Sequence, residues 1–201
     1  MRSGSVGGRW LVAGIDEVGR GCLVGPVVAA VVVLGPGKGI EGLADSKTLT
    51  ARQRQILTMQ IKERALDWAV GRAEAGEIDR INILQASLLA MKRAFAALAV
   101  QPEWAQADGM HYPDIPCHGE TVVKGDQRVA EISAASILAK VARDREMELL
   151  DRLCPGYSFA AHKGYPTQLH LACLGKLGVT RWHRKSFGPV RSMLREAGVG
   201  S

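Results

Sequence analysis

The chain has 201 residues, enough for one domain that buries about 70% of its unfolded surface without a disulfide or metal staple, and too few for a large multidomain machine. Hydrophobic residues make up 47% and charged residues 23%, which excludes a disordered polar chain. The longest apolar stretch, Val27 to Leu34, is far shorter than the roughly 20 residues that cross a bilayer.

The start of the chain, residues 1–9, is polar and Gly/Ser-rich and lacks the apolar segment of a secretory leader, so a flexible N-terminus and a cytoplasmic location are expected. Cys22, Cys117, Cys154 and Cys173 form no C-x-x-C pair and read as free, mostly buried thiols. His170 and Cys173 have a metal-like spacing, but nothing nearby supplies the further ligands of a zinc site. The net charge is +6, and all of it falls late in the chain. Residues 162–201 hold Lys163, Lys176, Arg181, Arg184, Lys185, Arg191 and Arg195 against one acid, Glu196. Such concentration favours a polyanionic partner over a merely solvated face.

In chain order, Trp10 to Ile15 predicts a strand, Asp16 to Gly25 a charged Gly-rich turn, and Pro26 to Leu34 a β-branched second strand. Ala51 to Ala65 predicts a helix through Ile56, Leu57, Ile61 and Ala65, with Thr50 as its N-cap. Asp67 to Ala73 predicts a third strand. Ile83 to Leu98 is the clearest helix, its Leu84, Leu88, Met91, Phe95 and Leu98 recurring at helical steps as core. Pro102 to Ala107, with a buried Trp104, predicts a strand ending at Asp108-Gly109, and Glu120 to Val123 another. Val129 to Leu150 predicts a long helix whose Ser133, Ala134, Ala135, Ser136 and Ala139 permit close backbone approach. Shorter helices follow around Thr167 to Leu177 and Pro189 to Ala197. The pattern is an α/β layered domain over residues 10–153, with a basic helical extension over residues 154–201 packed on it.

Three acidic positions stand at element ends: Asp16-Glu17, Asp108, and Asp126. If they converge, the carboxylates need cations to stay ionised, and hard oxygen ligands suit Mg²⁺ or Mn²⁺. Two such ions would serve in-line phosphodiester displacement. Acids for metal and bases for a polyanion fit together as a nuclease. Isolated D-G and G-D turns are also common in solvated loops. A dinucleotide loop is excluded because Gly19, Gly21 and Gly25 are spaced one residue too long, and a Walker loop because Gly42 to Thr48 lacks the glycine before Lys47.

The run Gly14-Ile15-Asp16-Glu17-Val18-Gly19-Arg20-Gly21, Gly25 to Ala30, and Asp45-Ser46-Lys47 closely resembles the ribonuclease HII family. So do Lys124-Gly125-Asp126, Ile132 to Lys140, Arg143-Asp144, His162 to Thr167, and His183-Arg184-Lys185-Ser186-Phe187, in order from about Leu11 to Val190. The resemblance implies a ribonuclease H-like fold, a five-stranded mixed sheet flanked by helices with a helical C-terminal extension. It implies endonucleolytic cleavage of RNA in RNA/DNA hybrids and at single ribonucleotides embedded in duplex DNA, leaving 3′-hydroxyl and 5′-phosphate ends. Two divalent ions, Mg²⁺ or Mn²⁺, would be held by Asp16, Glu17, Asp108 and Asp126. Gly19, Arg20 and Gly21 would read the ribonucleotide 2′-hydroxyl, Tyr165 would pack on the next deoxyribose, and Lys47 would lie near phosphate. Arg184 and Lys185, in the basic C-terminal motif, are expected phosphate contacts, and the protein is expected to act as a monomer. Cys22 replaces the family's usual proline, and Met110 the asparagine common after Asp-Gly. His162 and His183 fit phosphate contacts or structural hydrogen bonds equally, and His111 and His118 carry no motif. Two rival readings use the same residues: a resolvase-like nuclease of this fold indifferent to the 2′-hydroxyl, and a nucleic-acid-binding module with structural carboxylates.

Overall fold

The computed structural model describes residues 10–35, 37, 39–44 and 46–198. The expected flexible segment at residues 1–9, and Asp45 of the Asp45-Ser46-Lys47 motif, lie outside them. Five strands, β1 (Val12–Val18), β2 (Val27–Val33), β3 (Asp67–Ala73), β4 (Trp104–Asp108) and β5 (Gly119–Val122), form one mixed sheet in the order β3-β2-β1-β4-β5. The β1–β2 and β2–β3 pairs are antiparallel, whereas β1–β4 and β4–β5 are parallel. Among the described residues the helices around it are α1 (Ala51–Arg64), α2 (Ala75–Ala96), α3 (Ala130–Leu153), α4 (Phe159–His162), α5 (Gln168–Leu177) and α6 (Gly188–Glu196).

Strand period two sorts the core into two layers. On one face Val27, Ala29, Val31 and Val33 of β2 pack with Ala13, Ile15, Ala105 and Ala107 against Ile78, Ala90, Met91 and Phe95 of α2. On the other, Ala30 and Val32 meet Leu57 and Ile61 of α1 and Ala134, Ala135 and Leu138 of α3. Because β2 is covered on both sides, all seven of its residues are buried, which is why it reads as an unbroken apolar run.

Helix starts follow local chemistry. Thr50 caps α1 in a reciprocal box, its hydroxyl accepting from Gln53 N at 3.2 Å while Gln53 Oε1 accepts from Thr50 N at 2.8 Å. The periodic stretch expected to begin at Ile83 is the second part of α2. Asn82, at φ 66°, breaks the helix there, and its side-chain oxygen accepts from Leu84 N and Gln85 N. Ala75 to Ile81 form a preceding helical segment that the apolar spacing did not signal.

Three local expectations are corrected. β1 continues past Ile15, because pairing with β2 persists to Val18↔Val28, so Asp16 and Glu17 lie in the strand and not in the turn after it. Trp104 is half-buried, resting 6.5 Å from the exposed Trp10 ring. Only Cys22 among the four free cysteines is buried, the others being half-buried.

The small residues of α3 do bring backbones together. A Cβ on Gly14 of β1 would lie 2.1 Å from the Glu131 carbonyl carbon and 2.3 Å from Ile132 N. Neither atom can yield without moving the helix. Gly14→Ala is therefore expected to lower stability by about 3 kcal/mol or more, beyond the usual range for one added core methyl. A urea midpoint within error of the parent would show that α3 slides freely on the sheet.

Candidate active site

Register places the acids. β1 and β4 run parallel with Ile15 opposite Ala107, so Asp16 and Asp108 follow as the next residues of neighbouring strands at the same edge of the sheet. The β1–α3 contact at Gly14 aligns the two chains. Two strand residues advance about 6.6 Å and four helical residues about 6 Å, which carries Asp16 to Ser136, whose hydroxyl lies near enough to favour the charged carboxylate while bonded to Ser46 Oγ at 2.9 Å. Asp126 lies in a one-turn 3₁₀ segment, Gly125–Gln127, ahead of α3 rather than in the helix. That turn is tied to β4 by Gly125 N donating to Asp108 Oδ1 at 2.7 Å, and Ser133 donates to the Asp126 carbonyl.

Asp16, Glu17 and Asp108 line a cleft of about 570 Å³ together with Gly19, Arg20, Gly21, Ser46, Lys47, Arg54, Ser136, Lys140 and Tyr165. Asp126 adjoins it through Gly125 and through Lys47, whose Nζ is 4.0 Å from Asp126 Oδ2. Asp16 is only 6% exposed. Burial, reinforced by the charge of Glu17 and weakly by Asp108, pushes its pKa well above the usual carboxylate range, against the lowering pull of Ser136. Burial also raises Glu17, opposed by Arg20, which donates to Glu17 Oε1 at 3.0 Å.

The carboxylates do not close into the compact cluster expected from sequence: among the described residues no group of three or more His, Cys, Asp or Glu is drawn together to hold a metal. Like charges repel in a site of low dielectric, and Arg20 and Lys47 lie against the acids. The donor set still fits a hard divalent cation. All the donors are carboxylate oxygens, and Glu17 Oε2 is buried without a hydrogen-bond partner.

The far side of the cleft comes from loops. Gly19 has φ 91°, a conformation open to glycine. A Cβ on Gly21 would lie 4.0 Å from Tyr165 Cε1, so Tyr165, 42% exposed, stands beside the Gly19-Arg20-Gly21 turn. Sequence reasoning missed Ser136, Lys140, Arg54 and Ser46. Ser136 and Lys140 are one helical turn apart on the α3 face toward the cleft, and Lys140 pairs with Asp144 one turn further at 2.7 Å. This i, i+4 polar stripe within a small-residue helix was the available signal.

Arg184 is a correction. It is 0% exposed, its guanidinium donating to the carbonyls of Gly25 at 3.0 Å, Arg20 at 2.9 Å and Pro26 at 3.0 Å. A side chain consumed by three carbonyls cannot reach phosphate. Lys185 is exposed but outside the cleft lining, its backbone N donating to Asp79 Oδ2 at 3.0 Å.

The histidines are internal as well. His162, His170 and His183 are all buried, with His162 stacked on His170 at 4.1 Å. Their partners fix one set of tautomers. His162 Nδ1 accepts from Gly164 N at 3.1 Å, so its Nε2 donates to the Tyr157 carbonyl at 2.8 Å. His183 Nδ1 accepts from Thr180 N at 3.0 Å, so its Nε2 donates to His170 Nε2 at 3.3 Å. His170 Nδ1 in turn donates to the Tyr165 carbonyl at 2.9 Å. Each ring thus uses one donor and one acceptor, the pattern of a neutral imidazole, and none faces the cleft. The C-terminal segment grips the β1–β2 connection through Leu23 N to Gly164 O, Gly25 N to Trp182 O and Arg184 N to Leu23 O, each 2.8 Å.

Comparison with known proteins adds an independent finding. The family model for ribonuclease HII matches residues 13–190. The ribonuclease HII of Methylococcus capsulatus is 59% identical over 184 residues, 92% of this chain and 95% of the relative. That of Aliivibrio salmonicida is 58% identical over 187 residues, 93% and 90% of the two chains. Among solved structures, ribonuclease H2 from Pyrococcus horikoshii superposes with a TM-score of 0.76 at 27% identity, covering 94% of this chain and 99% of that one.

The histidine network predicts acid sensitivity. Burial, with the neighbouring His170, lowers the His183 pKa to about 4, whereas an unfolded histidine titrates near 6.5. Between these values the unfolded state binds more protons, so the stabilisation is complete above about pH 6.5 and is lost as pH falls toward 4, by about 3 kcal/mol at most. The Tm difference between the parent and His183→Gln should shrink over that window. A constant difference would show that another group titrates.

Proposed function

Because the chain belongs to the ribonuclease HII family and is thereby a ribonuclease H endonuclease, we propose that it cuts the RNA strand of RNA/DNA hybrids and single ribonucleotides embedded in duplex DNA, leaving 3′-hydroxyl and 5′-phosphate ends. The observation that carries this reading is the pairing of Asp16 and Asp108 at adjacent parallel strand ends with a glycine turn and Tyr165 across one cleft.

In this reading Asp16, Glu17, Asp108 and Asp126 hold two divalent ions, Mg²⁺ or Mn²⁺. Bound there, such ions lower the pKa of an attacking water and offset charge on the leaving oxygen. Ser136 and the Gly125 N–H orient the carboxylates of Asp16 and Asp108. Arg20 and Lys47, which lie against Glu17 and Asp126, are released toward phosphate once the acids are otherwise neutralised. The 2′-hydroxyl alone separates a lone ribonucleotide from its DNA neighbours. The Gly19-Arg20-Gly21 backbone meets it, and Tyr165 lays its ring on the following sugar, which fits best when that sugar is deoxyribose. Every named residue lines or adjoins one cleft of one chain, which supports a monomer as the acting unit, and four unpaired cysteines accord with a reducing cytoplasm.

The decisive assay compares a duplex carrying one ribonucleotide, a continuous RNA/DNA hybrid and an all-DNA duplex, in Mg²⁺ and in Mn²⁺. Cutting of the first two and not the third supports the reading. Cutting of all three would indicate a nuclease indifferent to the 2′-hydroxyl, and binding without cutting a recognition module.

Two substitutions probe the roles. Asp108→Asn keeps an oxygen to accept from Gly125 N and removes repulsion, so the fold and hybrid affinity should persist while cleavage falls by a factor of about 100 or more. Near-parental turnover in Mg²⁺ would remove Asp108 from the mechanism. Tyr165→Ala should reduce kcat/KM at a single embedded ribonucleotide more than within continuous RNA. Equal losses would mean that the ring only helps to seat the duplex.

A further inference from the structure

Arg143 of α3 is 1% exposed yet makes a single hydrogen bond, Nη2 to the Val24 carbonyl at 2.6 Å. Its Nε and Nη1 are buried without partners, and among the described residues no carboxylate lies within ion-pair distance of it. A buried cation left in this condition is costly, because unpaired donors forfeit their hydration and Glu146 acts on the charge only from beyond ion-pair distance. Packing alone would be served better by methionine or leucine.

What surrounds the guanidinium is glycine backbone. A Cβ would lie 3.0 Å from Nε at Gly19, 2.5 Å from Nη1 at Gly25 and 3.2 Å from Nη2 at Gly164. All three glycines have positive φ, 91°, 77° and 88°, so the β1–β2 connection, at Gly19 and Gly25, and the turn at Gly164 present bare backbone to one planar group. Both bear on the cleft: Gly19 begins the Gly19-Arg20-Gly21 wall, and Gly164 precedes Tyr165. They are also cross-linked, Leu23 N donating to Gly164 O at 2.8 Å.

We propose that Arg143 is a positioning residue for sugar discrimination: its guanidinium plane sets the separation between the Gly19-Arg20-Gly21 turn and Tyr165. The inference rests on the reading above, in which the turn meets the ribose and Tyr165 the next sugar. A rigid plane with nitrogens pointing in three directions can gauge two loops at three points at once, whereas a lysine ammonium on a flexible stem cannot. The spacing matters because the two sugars are neighbours on one strand, and a displacement of about 1 Å is enough to spoil reactive alignment.

The test uses Arg143→Lys, which keeps the charge and can still donate to Val24 O, and Gly25→Ala, whose methyl pushes on Nη1 from a residue outside the cleft. In both, kcat/KM at a single embedded ribonucleotide should fall about tenfold further than within a continuous RNA tract, the loss residing in kcat. The double variant should show no further change in that ratio. Equal losses on both substrates, or unchanged activity in either folded variant, would overturn the proposal. If Arg143→Lys does not fold, Gly25→Ala decides alone by the same ratio. A parent enzyme that cuts neither substrate, or cuts all-DNA duplex equally, would instead overturn the functional reading itself.

Discussion

Placing Asp16 out of water, beside a half-buried Asp108 at the end of the adjacent strand, is the demand to which the surrounding structure answers. An ionised carboxyl removed from water without compensation is among the most unfavourable groups a fold can hold. Asp16 is given Glu17 N, with the Ser136 hydroxyl nearby favouring its charged form, and Asp108 is given Gly125 N. Each of these donors must come very close. Gly14 lets the α3 backbone press onto β1 so that Ser136 arrives opposite Asp16. Gly125 is closely packed as well, since a Cβ there would lie 2.5 Å from Ile132 Cδ1, 3.2 Å from Val122 Cβ and 3.4 Å from Asp108 Oδ1. The small-residue character of the α3 start therefore follows from the acids as much as from helix packing.

The opposite side of the cleft is built on the reverse electrostatic principle. Two buried guanidiniums, Arg143 and Arg184, support the β1–β2 connection, and among the described residues neither is in a salt bridge. Arg184 is satisfied by three carbonyls, so the loop backbone itself acts as its counter-dipole. Behind them the neutral histidine set of residues 162, 170 and 183 holds the Gly164 and Tyr165 backbone without adding charge. A negative floor thus faces a wall with fixed positive charge beneath it, and the polyanionic backbone of a nucleic acid would find complementary surfaces on both sides once cations join the floor.

Much of the fold was legible because local and tertiary preferences agree. Asp67 to Ala73 alternates, is flanked by a helix end and Glu74, and forms β3 with those limits. Thr50 with Gln53 announces α1 by a reciprocal cap. Legibility failed where a single side chain replaced a pattern. Asn82 splits α2 by accepting two backbone N–H groups, which no apolar period can reveal, and the segment before it is too short to show one. The end of β1 was misplaced because Asp16-Glu17 looks like the turn that such residues usually make, whereas pairing with β2 extends the strand through them. In the site, the acids and the glycine turn were visible as types of residue in a row. Ser136, Lys140 and Arg143 were not, because their significance depends on which side of α3 meets the sheet edge.

The charge asymmetry shows how a correct count can mislead about place. The net excess lies after residue 161, yet the basic residues that line the cleft, Arg20, Lys47, Arg54 and Lys140, all come from the part of the chain where acids and bases balance. In the C-terminal segment Lys163 pairs with Glu148 at 3.0 Å, Arg181 lies over the Trp182 ring at 4.6 Å, and Arg184 is interior. Each of those four cations already lies against an acid, Arg20 against Glu17, Lys47 against Asp126, and Arg54 and Lys140 against Asp144. Within the cleft charge cancels locally because opposite signs lie side by side. A global excess measures what the rest of the surface adds to a long-range field, and that field governs encounter; the local pairs set the charge that a bound group meets.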